Sequence, residues 1–476
     1  MKEYDIIAIG TGSAMNIVSA VLGAKPELKV AVIDKDEPGG ICLTKGCIPT
    51  KILLYPSEII RTIQRASNFG IDVDLRKVDF KFVMERMRSL IGHDMSNISQ
   101  GLSQTEELDY YKDMAEFIGP YTLKVGDEKI KGKMILLCTG SKPKIPKIKG
   151  LEEIDYHTSD SILQISELPK TIGIVGGGYI AAEYGHFFST MGSKVSIIGR
   201  NPQFLPQEEP EVSALAKKEL SKHMEIRTNA EVKVIEKTAD GKKKIISTNR
   251  DTNETIEVIV DEVFIAAGRS SNSDILHPEK SGIKTDKDGW IIVNEFLETT
   301  KQNIWAFGDA NGKFLFKHAA NYESQIVYYN AVQEQENKVS YHAIPHAVFT
   351  DPEVAGVGLR EAEAIEQFGK DVIIGFQRYQ DTAKGMAMDV EDFFVKIIVQ
   401  RETMEILGAH IIGPQASVLI QEVINLMYTN DRSVLPLMRG MHIHPALNEV
   451  VERAAGNLMT VDHYHHLLEQ MGLSVD

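Results

Sequence analysis

The chain has 476 residues, 43% hydrophobic and 25% charged, and its 52 Lys and Arg are outnumbered by 67 Asp and Glu for a formal net charge of −15. That length leaves room for about three domains at roughly 150 residues each, and the negative balance argues against nucleic acid or an anionic membrane surface as a partner. No apolar run approaches the roughly 18 residues of a membrane span, and the opening MKEYDIIAIG passes from a short polar lead straight into a strand pattern without a signal-peptide cleavage region, so a cytoplasmic protein is expected.

The first element pair is YDIIAIGTGSAMNIVSAVLGAKPELKVAVIDK: an apolar strand, a glycine turn, a helix, and a second β-branched strand. In such a unit Gly10 and Gly12 let the backbone turn tightly and approach a pyrophosphate, which sits against amide hydrogens at the helix N-terminus. Met15 stands where a third glycine would be, so the packing of this helix on its strand must differ from the usual one. Asp34 closes the second strand, where a carboxylate accepts hydrogen bonds from an unphosphorylated ribose.

EPGGICLTKGCIPTK follows, with two of the three cysteines, Cys42 and Cys47, five positions apart. Three cysteines do not make a secreted disulfide framework, and so short a loop would gain little as a structural staple. Two cysteines make half of a zinc site, and Cys138 stands alone in MILLCTG. Redox chemistry is the favoured reading. Beyond this motif RKVDFKFVMERMRSLIGHDM has the periodicity of an amphipathic helix and no evident chemistry.

KTIGIVGGGYIAAEYGHFFSTMGSKVSIIGR repeats the first plan, with Gly176 and Gly178 in the turn and Ala181 at the third glycine position. Two copies, each with its second strand at the expected distance, imply two dinucleotide sites. The second copy ends in Gly199 and Arg200, without a carboxylate. A cation there favours a 2'-phosphate, so NADPH is expected over NADH. TADGKKKIISTNRDTNETIEVIV then reads as a β-rich hairpin punctuated by Asp240-Gly241 and Asn253.

The later segments add strands such as FFVKIIVQ and ILGAHIIG, and helices such as SVLIQEVINLMYT. The tail VDHYHHLLEQMGLSVD carries His463, His465 and His466 and is expected to be an exposed or partner-packed helix without a metal site.

GGICLTKGCIPTK resembles the redox signature GGxCLxxGCIPxK of the FAD-dependent pyridine nucleotide-disulfide oxidoreductases, the family of dihydrolipoamide dehydrogenase and glutathione reductase. The similarity continues through LLCTGSKPKIP, IVGGGYIAAEYG, FIAAGRSSN, IWAFGDANGKFLFKHAANYES, PHAVFTDPEVAGVGLREAEA and HIHPALNEVVERA, over roughly residues 4 to 457. It implies an α/β fold with two Rossmann-like dinucleotide-binding domains, for FAD and NAD(P), and a C-terminal α+β dimerisation domain. The implied division is a first FAD segment over 1–150, the NAD(P) domain over 151–272, a return to the FAD and central domain over 273–343, and the dimerisation domain over 344–476.

The resemblance also implies roles. Electrons pass between a nicotinamide, FAD, the Cys42–Cys47 disulfide and a small dithiol or disulfide. Cys47 is the thiol beside the flavin and Cys42 the one that meets substrate; a helix beginning near Pro49 would lower the Cys47 pKa through its dipole. Lys51, paired with Glu183, would stabilise an electron-rich flavin. Tyr179 covers the nicotinamide pocket, and Asp309 binds the sugar-alcohol chain of FAD. Gly40, Gly140 and Gly268 lie in matching cofactor motifs. His444, oriented by Glu449, is the base for disulfide exchange and serves the partner subunit's disulfide, so a homodimer with a shared site is implied.

The overall pattern suggests dihydrolipoamide dehydrogenase, with a lipoyl protein of a 2-oxoacid dehydrogenase complex as partner. Gly199 and Arg200, together with GTGS and HPALNEVVE, instead resemble an NADPH-dependent reductase of a low-molecular-weight disulfide, as in mycothione or glutathione reductase. Mercuric reductase is disfavoured because no cysteine follows Cys138. A flavoprotein oxidase or electron-transfer component would leave Cys42, Cys47 and His444 without a use.

Overall fold

The structure, a computed structural model, describes residues 1–473. Residues 474–476, the end of the tail and of the expected 344–476 domain, lie outside the described residues. The first unit is built on a seven-stranded sheet in the order Leu108–Tyr111, Val30–Ile33, Lys2–Ile9, Glu128–Leu137, Thr122–Val125 and Ala115–Gly119, with Ile304–Ala306 also joined to Glu128–Leu137. Lys2–Ile9 pairs in parallel with Val30–Ile33 and with Glu128–Leu137, in register Ile7↔Ala31 and Ile7↔Ile135. IIAI, VAVI and ILL are β-branched or leucine-rich without alternation because both faces are buried: Ile6 and Ala8 pack with the helix Ala14–Ala24, and Ile7 and Ile9 with the antiparallel strands Ala115–Gly119 and Thr122–Val125. The helix Ala14–Ala24 makes the crossover between the first two strands.

The second glycine unit repeats this on a smaller scale. Its four parallel strands run Glu225–Arg227, Lys194–Ile198, Thr171–Val175 and Glu262–Ile265, with Tyr179–Met191 as the crossover helix. The expected hairpin region forms a three-stranded antiparallel sheet, Ala230–Lys237, Lys243–Asn249 and Thr255–Val260. Asp240-Gly241 turns the first connection, where Gly241 has φ +85°, and Asn253 the second, at φ 59°. The segments entering and leaving this unit pair as Ser141–Pro143 with Arg269–Ser271.

The third unit is a six-stranded sheet in the order His346–Val348, Val354–Gly358, Ile406–Ile412, Phe394–Gln400, Val372–Arg378 and Leu458–Thr460. All its pairings are antiparallel. The amphipathic segment expected after the cysteines is the helix Phe80–Gln104, whose cap Asp79 accepts a hydrogen bond from the Phe82 amide at 3.1 Å. Among the described residues no helix is long and apolar enough to cross a membrane.

The tail is a helix, as expected, with one face packed on its own chain. Val461–Gln470 is a helix capped by Thr460, and it buries Tyr464 and Leu468 in the main apolar core of its own chain. Tyr464 supplies the reason: its hydroxyl donates to Glu211 at 2.6 Å, so the helix is held from inside. His465 Nε2 lies 2.6 Å from Glu361, and the described residues contain no group of side chains able to hold a metal ion.

Tyr464 joins a buried ion cluster between the second and third units. The Lys396 ammonium, 1% exposed, contacts Glu209 at 3.1 Å, Glu211 at 2.6 Å and Glu361 at 2.7 Å. Burial alone would depress its pKa, but the carboxylates outweigh burial and raise it. Lys396→Met removes the cation these three buried carboxylates share and is expected to destabilise the fold by about 3–5 kcal/mol, read as a large fall in the thermal unfolding midpoint.

Candidate active site

The two thiols meet because Gly46 lets the chain fold back sharply. A side chain at Gly46 would approach the Ile41 carbonyl at 3.0 Å and the Cys42 Cα at 3.3 Å. Cys42 lies in the short helix Gly40–Thr44, and Cys47, not Pro49, opens the helix Cys47–Arg65. Both cysteines are thiols here, and Cys42 hydrogen-bonds Cys47. That bond is the main cause that lowers the Cys47 thiol to about 7; the Lys51 charge adds to it, against burial. The same bond, with burial, pushes Cys42 far up. The first proton therefore leaves the pair from the Cys47 side, and the two sulfurs titrate as one unit.

Lys51, one turn along the helix from Cys47, binds both carboxylate oxygens of Glu183 at 2.9 and 2.8 Å. Glu183 is 4% exposed and accepts a further bond from the Phe349 amide at 3.1 Å. The Lys51 ammonium lies 4.4 Å from the centre of the Phe349 ring. Glu183 comes from the crossover helix of the second unit, so the pair ties the thiol helix to the second glycine cradle.

Cys42, Cys47, Lys51, Glu183 and Tyr179 share one cavity of about 990 Å³ with Gly10, Gly12, Asp34, Gly40, Gly140 and Asp309. Its walls fit FAD. Gly10 has φ +105°, and a Cβ there would lie 2.1 Å from the Cys138 carbonyl oxygen; a Cβ on Gly40 would lie 2.7 Å from the Gly12 Cα. Backbone thus closes on backbone where a pyrophosphate needs bare amides. Asp34 is oriented by the Thr11 amide and hydroxyl at 2.8 and 2.5 Å and by the Asp36 amide at 3.0 Å. Asp309 accepts from Ser141 at 2.5 Å, while burial pushes its carboxyl pKa up. Cys138 also faces the cavity, but burial raises its thiol to about 11, so it stays protonated.

The second cradle lies apart from these walls. Gly176, at φ +140°, would place a Cβ 2.1 Å from the Ala266 carbonyl oxygen, whereas Gly178, just before the helix Tyr179–Met191, has open space. Gly199 packs on Gly177: a Cβ would come within 3.2 Å of its Cα. Close backbone packing is thus a local reason for the missing carboxylate. Arg200 is exposed beside it, and its carbonyl accepts from Arg250 at 3.1 Å. Gly268 is not among the cavity walls; its φ of +107° turns the chain so that its neighbour Arg269 reaches the cavity and donates to Ser141 at 2.6 Å.

His444 and Glu449 form a dyad, Nδ1 to Oε1 2.9 Å, with the other Glu449 oxygen accepting from the Ala446 amide at 3.1 Å. The hydrogen bond to His444 is the main cause holding Glu449 below the usual carboxylate range. The dyad does not line the cavity. The His444 side chain is 68% exposed, with Met441 and Ile443 beside it also exposed.

Several cavity residues escaped sequence reasoning. Thr11 sits between the two glycines of the first turn, and Arg269 follows a motif glycine, so both had a local signal. His318, His346 and Lys317 did not, because only the third dimension brings them to the cavity.

Two descriptions of known proteins match the chain: pyridine nucleotide-disulphide oxidoreductase over residues 4–334, and the dimerisation domain of the same group over 344–455. A mycothione reductase of Mycobacterium tuberculosis is 34% identical over 466 residues, 95% of this chain and 99% of the relative. A dihydrolipoyl dehydrogenase of Synechocystis is 32% identical over 468 residues, covering 95% and 98%. Among solved structures, the HOCl-induced flavoprotein disulfide reductase RclA from Escherichia coli superposes with a TM-score of 0.82 at 27% identity, over 96% of this chain and 99% of that one.

The thiol pair makes a direct prediction. In the reduced protein, thiolate absorbance near 240 nm should appear with a midpoint at about pH 7. Cys42→Ala deletes the hydrogen bond that contributes most to this and should move the midpoint to higher pH; an unmoved midpoint would assign the lowered value to Lys51 instead.

Proposed function

The chain belongs to the pyridine nucleotide-disulphide oxidoreductases, and we propose that within this family it is an NADPH-dependent reductase of a low-molecular-weight disulfide. The family works with FAD and NAD(P)H. The observation that carries the choice of nucleotide is the corner Gly199–Arg200, with no carboxylate for a free ribose and an exposed arginine for a 2'-phosphate. The 34%-identical mycothione reductase supports the substrate class. The dihydrolipoamide reading, which the sequence pattern suggested first, keeps the support of relatives such as the 32%-identical dihydrolipoyl dehydrogenase. A lipoyl protein partner belongs to that second reading.

We infer the same division along the chain as the sequence suggested, with 1–150 and 273–343 serving FAD, 151–272 the nicotinamide nucleotide and 344–476 the dimer. The strand Ile304–Ala306, which returns to the first sheet after the second unit, supports it.

The residues would work as follows. Gly10, Gly12, Gly40 and Gly140 cradle FAD, Asp34 accepts from its ribose and Asp309 from its sugar-alcohol chain. Gly176, Gly178, Arg200 and Gly268 serve the nicotinamide nucleotide or the chain turns around it, with Tyr179 as cover. FAD bound in the cavity supplies the two-electron relay between nicotinamide and sulfur. Lys51, fixed by Glu183, places a cation where negative charge develops, which lowers the cost of that charge in a site shielded from water. Cys47, exposed where it faces the cavity, carries the thiolate on the FAD side, leaving Cys42 to exchange with substrate. His444 takes and returns the proton of that exchange, and Glu449 holds its Nδ1–H so that Nε2 stays free as acceptor. Because the dyad stands outside its own cavity, the reading requires a homodimer in which each chain supplies the base to the other.

The test is steady-state turnover with NADPH and NADH against lipoamide and a panel of small disulfides. NADPH-selective reduction of a small disulfide is expected; reversible lipoamide turnover with NAD would replace this reading by the dihydrolipoamide one. In His444→Gln, nucleotide should still reduce the enzyme, while disulfide exchange should slow by about a hundredfold or more. Undiminished exchange would remove His444 from the site.

A further inference from the structure

One wall of the cavity consists of four rings, three of which carry no role above. Tyr179 lies 6.3 Å from Phe316, and Phe316 is flanked by His318, stacked at 5.3 Å, and by His346 at 6.4 Å and 15°. All four line the cavity with Cys42 and Cys47. His346 also has an anionic partner behind the wall: its Nε2 lies 2.9 and 3.0 Å from the two carboxylate oxygens of Glu208. Glu208 is 3% exposed, against 22% for the His346 side chain.

This contact crosses between units. Glu208 lies on the segment that leaves the Gly199–Arg200 corner, where the Gln203 side chain donates to its carbonyl at 2.9 Å. His346 lies on the edge strand of the six-stranded sheet, three residues before Phe349, whose amide binds Glu183. Gly356 makes the space: a Cβ there would come within 2.9 Å of His346 Nε2 and 3.1 Å of His410 Nδ1. The imidazole is therefore built into the fold from behind, while its ring edge faces the cavity beside the cover residue.

We propose that the Glu208–His346 pair is a positioning element for the nicotinamide: it holds Phe316, against which Tyr179 rests, and so sets how tightly the oxidised enzyme binds a nicotinamide nucleotide. The inference rests on Tyr179 covering the nicotinamide pocket, as in the proposed function. A buried ion pair is a poor source of stability compared with apolar packing, so its use on a cavity wall is better matched to fixing orientation.

The ionisable groups around His346 decide its pH behaviour. Glu208 is in contact, His318 lies across Phe316, His410 lies beyond Gly356, and Glu209 and Lys396 stand behind His410. Burial works against the imidazolium, but the Glu208 carboxylate outweighs it and raises the pKa. The pair is charged at low pH and loses its proton as pH rises through that raised value. Nucleotide affinity should therefore fall with rising pH.

The test is fluorescence titration of the oxidised, FAD-loaded dimer with NADP+, and with NAD+ as a second probe, from about pH 6 to 9, the range of histidine titration. Wild type should bind more weakly as pH rises. Glu208→Gln leaves burial unopposed, so His346 stays neutral; binding should be roughly tenfold weaker at the low end, as for loss of a charge-assisted bond, and nearly flat with pH. His346→Gln should behave the same, and combining the two should add nothing. Either variant with wild-type affinity and pH profile overturns this inference alone. A wild-type enzyme that binds neither nucleotide overturns both this inference and the proposed function. Disulfide exchange from pre-reduced enzyme should be unchanged in both variants, and its loss would show a general structural role instead.

Discussion

Two helices from different units are joined by one ion pair, Lys51 with Glu183, and the layout of the cavity depends on that joint. Glu183 is almost fully buried, and a buried carboxylate without partners is costly enough that it must be paired or protonated. It has three donors' worth of contact in Lys51 and the Phe349 amide. Because Lys51 is one turn from Cys47 and Glu183 one turn from Tyr179, the pair fixes the thiols relative to the second cradle. Relative motion of the two units would break it, so the distance between the two proposed cofactor sites is set by a side-chain bond as well as by helix packing.

The two glycine cradles show how much a repeated plan leaves open. In both, the first glycine has positive φ and presses on a carbonyl, of Cys138 in one and Ala266 in the other. The ends of their second strands diverge for reasons of packing. Asp34 is held by Thr11 and Asp36, whereas Gly199 lies so close to Gly177 that a Cβ there would press on its Cα at 3.2 Å. Whether a side chain can stand at the strand end is thus tied to how tightly that end approaches the glycine turn.

Legibility in the sequence followed the range of each contact. The two βαβ units, the thiol pair and the hairpin of the second unit were readable because their signals lie within a few residues: glycine spacing, β-branched runs, Asp240-Gly241. The long helix after the cysteines was readable from its period. The anchor of the tail helix was not readable, because Glu211 is 253 residues away from Tyr464. Arg269 was missed in favour of Gly268 because a motif marks the turn and not the side chain the turn delivers.

The segment QEEPE, residues 207–211, shows the same limit in its most consequential form. Three carboxylates within four residues ordinarily belong to a solvated surface, since each loses much on leaving water. Here Glu208, Glu209 and Glu211 are 3%, 2% and 5% exposed. Each is met by a group from the third unit: His346 for Glu208, Lys396 for Glu209 and Glu211. No pattern within the segment could announce those partners. The consequence is mechanical: a stretch beginning near the proposed ribose corner is locked into the sheet that forms the cavity's far wall. The second unit and the dimerisation domain are therefore joined through buried pairs of opposite charge as well as through apolar packing.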